Sequence, residues 1–253
     1  MSGHSHWATI RRKKGAADAK RGQIFTRLAR EIVLAARQGG SDIDSNVHLQ
    51  LAVERARAQN MPKDNIERAI RRGAGEDKDA GVLEELTYEG YGPHGVAFMI
   101  TCVTENRNRT VADLRHMLNR YGGTLAEAGA VGWQFTRKAS FTFSMDGKDK
   151  DEIFELAVEA GADDVIFDDE AEEAEIVGSV ESFKSISDQL HKAGITPDEA
   201  ALKMVPNSEI ELSTEDTVQV LRIIEALEEL DDVQNVYSNM AITEEAIAQL
   251  EEA

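Results

Sequence analysis

The sequence is poor in the features that most often announce a function. Its 253 residues contain one cysteine, Cys102. A single thiol forms neither an intrachain disulfide nor a four-cysteine zinc site, so an oxidised framework is excluded and a reducing cytoplasm is the expected setting. Cys102 sits in the apolar run from Val96 to Val103 and reads as a core residue, not a nucleophile. No stretch approaches the ~18 apolar residues of a membrane span. The start, Met1-Ser2-Gly3-His4-Ser5-His6-Trp7, lacks the charged-then-apolar order of an export signal, so the chain is expected to be neither exported nor embedded. The glycines between Tyr88 and Gly95 match neither Gly-x-Gly-x-x-Gly nor Gly-Lys-Ser/Thr, which removes the usual phosphate-binding loops. The acids from Asp163 to Glu173 lack the central glycine and closing glutamate of a calcium loop, and read as a solvated face that repels nucleic acid. His4 and His6 share one side of an extended chain, and Ser2-Gly3-His4 with Met1 removed would chelate Cu(II) or Ni(II). No further ligand completes a catalytic centre beside them, so no metal, cofactor or small-molecule substrate is expected and the protein reads as a non-enzyme.

What is present is charge, unevenly placed. The whole chain has 28 Lys+Arg against 47 Asp+Glu, a net of -19, which taken alone argues against attraction to nucleic acid or anionic membranes. Residues 1–75 hold 15 Lys+Arg and 7 Asp+Glu, a net of +8, whereas residues 76–253 hold 13 and 40, a net of -27. Such asymmetry points to a basic module that meets an anionic polymer, attached to an acidic body with another task.

The pattern along the chain is α+β: an all-α three-helix N-terminal domain, then two α/β domains, one inserted into the other. Residues 1–15, ending in Arg11-Arg12-Lys13-Lys14-Gly15, lack apolar periodicity and read as a flexible basic arm. Residues 16–75 form the helical domain. Ile24, Phe25, Leu28, Ile32 and Ala35 fall on one face of its first helix, with Lys20, Arg27, Arg30 and Arg37 on an adjoining face. A second helix runs from Val47 to Gln59 behind a Ser45-Asn46 cap, and a third starts at Pro62 and ends in Arg68, Arg71 and Arg72 before Gly73. After a linker at Gly73–Gly81, residues 136–206 read as strand, helix, two strands, helix and strand, the ferredoxin-like order. Residues 82–135 and 207–243 read as one discontinuous α/β domain. Its pieces are strands at Leu83–Tyr88, Gly95–Thr104, Val131–Phe135, Glu209–Leu212 and Val233–Tyr237, and helices at Thr110–Tyr121 and Thr217–Leu230, the first of them capped by Thr110.

The candidate functional residues are cations and their neighbours. His4, His6, Trp7, Arg11, Arg12, Lys13 and Lys14 mix stackable rings with positive charge, as suits RNA, although Trp7 also suits packing on the helical domain. Lys20, Arg21, Arg27, Arg30, Arg37, Arg55, Arg57, Arg68, Arg71 and Arg72 are candidate phosphate contacts, or a solvated face paired with Glu31, Glu54 and Glu67. Arg107, Asn108 and Arg109 lie between a strand and a helix start, where either an anion contact or a self-satisfied capped loop fits.

Five motifs in order carry a resemblance over essentially the whole chain. They are Gly3-His4-Ser5-His6-Trp7, the run from Lys13 to Gly22, Asn60-Met61-Pro62-Lys63-Asp64-Asn65-Ile66, Tyr88-Glu89-Gly90-Tyr91-Gly92-Pro93 and Asn106-Arg107-Asn108-Arg109-Thr110. With these the chain resembles the YebC/PmpR family. The resemblance implies a helical N-terminal domain with two α/β domains, and a cytoplasmic, non-enzymatic, DNA-binding regulator of transcription. It also implies an alternative, since members including mitochondrial relatives are associated with ribosomes and with translation through proline-rich stretches. The implied partner is therefore DNA or ribosomal RNA, the latter with the ribosome itself, and no membrane. One departure stands at residues 124–131, where the family's small polar run is replaced by Leu125-Ala126-Glu127-Ala128-Gly129-Ala130.

Overall fold

A computed structural model describes residues 18–76, 81–169 and 172–251. Among them the chain divides into two compact units, one of residues 18–132 and 219–238, the other of residues 133–218 and 239–251.

The first unit begins with α1 (Asp18–Gly39), α2 (Val47–Ala58) and α3 (Lys63–Gly73). Apolar residues recur at helical spacing on each, and Leu28, Ile32, Val33, Leu49, Val53 and Ile66 meet in one buried cluster. Each such side chain contributes about 1.5–3 kcal/mol by leaving water. The buried stripe of α1 is rotated from the expected one. Val33 and Ala36 are buried while Ile24, Phe25 and Ala35 are partly exposed, because α1 packs against both other helices at once. Asn46 explains the α1–α2 corner. Its side chain accepts from Leu49 N at 3.1 Å as the cap of α2, and donates to Ala35 O and Gly40 O at 2.8 Å, closing the end of α1. Gly73 explains the α1–α3 contact, since a Cβ there would stand 2.6 Å from Val33 O.

The same unit continues into a sheet of β1 (Glu84–Tyr91), β2 (Ala97–Thr104), β3 (Thr124–Leu125) and β8 (Val233–Ser238), in the order β3-β1-β2-β8. β1 and β2 form an antiparallel hairpin in register from Glu84↔Thr104 to Tyr91↔Ala97. β2 is central and almost wholly buried, which is why it reads as a continuous apolar run. Helix α4 (Arg107–Arg120) follows β2.

The second unit is built from β4 (Phe135–Ser144), α5 (Lys150–Ala160), β5 (Ala162–Asp168), β6 (Glu173–Gly178), α6 (Phe183–Lys192) and β7 (Glu199–Pro206). The antiparallel strand order β5-β6-β4-β7 is that of the ferredoxin-like fold. Phe141 of β4 lies 4.8 Å from Phe183 of α6, ring centre to ring centre, in the core between sheet and helices. Asp149 caps α5 by accepting from Asp151 N at 2.8 Å, and Gly161, at φ 76°, ends it in a left-handed turn.

The fold class is therefore α+β, with a helical N-terminal part and a ferredoxin-like sheet. Several local expectations differ. α4 starts at Arg107 behind Asn106, whose side chain accepts from Arg109 N at 3.1 Å, so Asn106 and not Thr110 is the cap. Thr110 lies one turn in, where its hydroxyl donates back to Asn106 O at 3.0 Å. The strand expected at residues 131–135 is a short 3-10 turn, Gly132–Gln134, before β4 begins at Phe135. The strand expected at residues 209–212 is reduced to one bridge between Ile210 and Met240. α7 (Thr214–Glu228) begins three residues early, and a further helix, α8 (Glu244–Glu251), had no expectation. No helix among the described residues is long and apolar enough to cross a membrane.

Candidate nucleic-acid interface

The arginines of the first unit fall into two sets. One set is spent on the protein. Arg30 on α1 donates to the Asp231 carbonyl and, at 3.1 Å, to the Asp232 carboxylate. Arg37 donates to Leu83 O at 2.6 Å, and Arg55 pairs with Glu31 at 2.9 Å. Arg72 pairs with Glu105 and donates to Gly81 O at 3.1 Å, while Arg107 pairs with Glu84. Arg109 forks onto both oxygens of Asp232 at 2.8 Å. The other set, exposed and without an ion-pair partner among the described residues, is Arg57, Arg68 and Arg71 on α2 and α3, with Arg115 and Arg120 on α4 and Arg222 on α7 outside the bundle. Arg27 is half-buried and engaged within the protein. Asn108 is exposed in the first turn of α4. Lys20 and Arg21 lie in the first turn of α1, with side chains outside the described ones. His4, His6, Trp7, Arg11, Arg12, Lys13 and Lys14 lie outside the described residues.

Asp232, which composition and spacing did not single out, is the centre of the first set. It precedes β8, is 4% exposed, and accepts from Arg30, Arg109, Thr104 Oγ1 at 3.1 Å and Thr110 Oγ1 at 2.9 Å. Its own carbonyl accepts from Val103 N at 2.8 Å. Burial alone would raise its pKa. The hydrogen bonds from Arg109, Thr110 and Thr104 outweigh that and hold the carboxyl below its ordinary range. One carboxylate thus ties α1, the end of β2 and the start of α4 together. The only sequence signal is Asp231-Asp232 in a helix-to-strand turn, and its partners lie more than 120 residues away.

Glu89 does similar work at a loop. Its carboxylate accepts from the backbone of Gly129 at 2.7 Å, Val131 at 2.6 Å and Gly132 at 2.8 Å, and Tyr91 Oη donates to Ala130 O at 3.0 Å. Burial would raise the Glu89 pKa, but these three N–H donors bring it below the usual value. Two residues of the Tyr88-Gly95 motif therefore hold the divergent segment after Leu125 in shape. Cys102 is fully buried, and burial pushes its thiol pKa up to about 12, which leaves no reactive thiolate near neutral pH. Among the described residues no group of three His, Cys, Asp or Glu side chains is placed to hold a metal ion.

One of these exposed arginines, Arg68, lines an open cleft of about 370 Å³ between α1 and α3. Asn65, Arg68, Ala69 and Arg72 line it from α3, at the i, i+3, i+4, i+7 spacing of one helix face. Phe25, Thr26, Ala29, Arg30 and Val33 line it from α1, and Met61, Leu83 and Glu105 complete it. The cleft has an apolar floor and a rim of three guanidinium groups.

These features sit in a recognisable class of protein. Residues 5–76 match the model of the TACO1/YebC protein N-terminal domain, and residues 83–240 match that of the TACO1/YebC second and third domain. The chain belongs to the TACO1/YebC family. It is 48% identical over 252 residues to a probable transcriptional regulatory protein of Chlorobaculum tepidum, covering 100% of both chains. It is also 48% identical to one of Borrelia turicatae, over 97% of this chain and 99% of that one. Among solved structures, a conserved hypothetical protein from Aquifex aeolicus is similar, with a TM-score of 0.82 and 39% identity over 90% of this chain and 93% of the other.

Proposed function

We propose that this chain is a non-enzymatic, cytoplasmic regulator of gene expression that works by binding nucleic acid through its N-terminal arm and helical bundle. Arg57, Arg68 and Arg71 carry the reading: they are exposed on α2 and α3 with no ion-pair partner among the described residues, while Arg30, Arg55 and Arg72 are tied to carboxylates and carbonyls. His4, His6, Trp7, Arg11, Arg12, Lys13, Lys14, Lys20 and Arg21 extend the contact by their chemistry, rings for stacking and cations for phosphate. Arg30, Arg72, Arg107 and Arg109 have a structural task and are left out of the contact set. The family's relatives named as transcriptional regulatory proteins agree with a regulator's role.

The test is binding of a labelled duplex DNA and a labelled structured RNA across a salt series. Each phosphate contact removed lowers the slope of log affinity against log salt by about 0.9 on duplex DNA and about 0.7 on single strands. Replacing Arg57, Arg68 and Arg71 together by Ala is expected to lower it by about two to three such steps. No binding to either polymer by the full chain overturns the proposal.

A further inference from the structure

The cleft between α1 and α3 has a shape that the reading above does not require. Ala29 and Ala69, one from each helix, are among its lining residues. A Leu or Ile at either position would fill the space with core, as happens on the neighbouring turn at Ile32 and Ile66. The two small side chains leave room in the cleft, and Phe25 contributes a ring to the same lining. The polar lining of the cleft is three guanidinium groups, an amide, the Thr26 hydroxyl and the Glu105 carboxylate. Arg68 is exposed and without an ion-pair partner among the described residues, the Nε of Arg72 is buried with no hydrogen-bond partner, and the Asn65 amide offers both a donor and an acceptor.

A slot with an apolar floor, a ring beside it, an amide and a free guanidinium matches a flat heteroaromatic ring joined to an anion. A duplex presents its bases stacked and paired, with only their edges in a groove, so it offers no such ring. We propose that the cleft is a subsite for one unpaired nucleotide of a single-stranded segment, its base on Phe25, Ala29 and Ala69 and its phosphate on Arg68. This rests on the nucleic-acid reading above and gives it a substrate class: the chain contacts looped or single-stranded regions, with Arg57 and Arg71 on flanking phosphates. Asn65 faces the base edge, so it sets whatever base preference there is. Glu105, held by Arg72, also lines the cleft, and its carboxylate disfavours a second phosphate there.

The experiment uses the full chain with three probes at fixed salt: a single-stranded RNA, the same sequence as single-stranded DNA, and the paired duplex. Each carries 2-aminopurine, whose fluorescence falls or rises with its stacking. Ala29→Leu fills the slot without touching a charge. It is expected to weaken single-strand binding about tenfold, the share of one stacked base, to leave duplex binding unchanged, and to keep the salt slope. Arg68→Ala is expected to lower the slope by about one contact. Should Ala29→Leu fail to fold by circular dichroism, an abasic site at the 2-aminopurine position of the probe removes the base instead and is expected to cost the wild-type chain the same factor. The ratio of RNA to DNA affinity tells which strand the subsite takes. Single-strand affinity indifferent to both the filled slot and the abasic site overturns the inference and leaves the wider nucleic-acid reading standing. Failure to bind any of the three probes overturns both.

Discussion

The helical bundle and the ferredoxin-like unit use charge in opposite ways. Residues 18–76 hold 11 Lys+Arg and 8 Asp+Glu, whereas residues 133–218 with 239–253 hold 7 and 26. In the ferredoxin-like unit four of the seven cations are paired, Lys138 with Asp163, Lys150 with Asp169, Lys184 with Asp188 and Lys203 with Glu175 and Glu199. Its outer helix face carries Phe154 and Val158, 53% and 60% exposed, among Asp151, Glu155 and Glu159. Arg137 and Lys192 are exposed without an ion pair among the described residues, but they stand in a unit whose acids outnumber its cations 26 to 7. In the bundle the acids are the minority, and Arg57, Arg68 and Arg71 have no ion-pair partner among the described residues. Net charge for the whole chain averages these into one figure that describes neither region, so a net of -19 does not by itself exclude a local surface that meets an anionic polymer.

Within the first unit a second contrast follows, between arginines that hold the fold and arginines that face outward, and mutation separates them. The largest effect belongs to Asp232→Ala, which leaves Arg30 and Thr104 short of their acceptor in a buried setting. Breaking such a network costs about 3–5 kcal/mol, read as a lower urea midpoint at unchanged slope. Because the folded pKa of Asp232 lies below its ordinary 3.8, its contribution is complete above that pH and is lost as pH falls through the folded value. Acid unfolding of the wild type is therefore expected to begin below about pH 4, and the Asp232→Ala chain to lack this step. An acid profile unchanged by the substitution would remove Asp232 from its central place.

Asn46→Ala comes next, at about 1–2 kcal/mol, since it removes the cap of α2 and leaves Ala35 O and Gly40 O without their donor. Hydrogen exchange at the α1–α2 corner measures it directly, with faster exchange at Leu49 N expected. Glu89→Gln is expected to cost about 1 kcal/mol, because an amide oxygen accepts from the 129–132 backbone more weakly than a carboxylate. Its mark is local: faster exchange at Gly129, Val131 and Gly132, with the helical bundle unaffected.

How much of this was legible in the residues follows the range of each interaction. Helices and strands were readable wherever burial imposed a period, as at Leu49, Val53 and Ala56 or along β2. Capping was readable where the side chain acts within three residues, as at Asn46. It was misplaced at Thr110, because Asn106 and Thr110 are both able to cap and tertiary contact with Asp232 takes up the hydroxyl of the second. The basic surplus in the first 75 residues was legible, but its division was not. Whether Arg30 or Arg57 faces solvent depends on an aspartate about 200 residues along in one case and on the lack of a neighbour in the other. The cleft is legible only in retrospect, from two alanines at positions where the helical period asks for larger residues.

The smallest effect sharpens the first contrast. Lys184 pairs with Asp188 at 3.0 Å across one helical turn, with both side chains more than half exposed. Water and salt screen such a pair, so Lys184→Ala is expected to change stability by less than about 0.5 kcal/mol. Its effect on nucleic-acid binding is the informative part. If the acidic unit only repels the polymer, removing one positive charge there leaves the salt slope unchanged and lowers affinity slightly, through the weaker long-range field alone. Arg57→Ala, also a single exposed cation with no partner to break, is expected to be equally silent in stability yet to lower the slope by about one contact. Slopes lowered alike by the two variants would mean that the polymer touches both units, and the division of labour between bundle and acidic unit would fail.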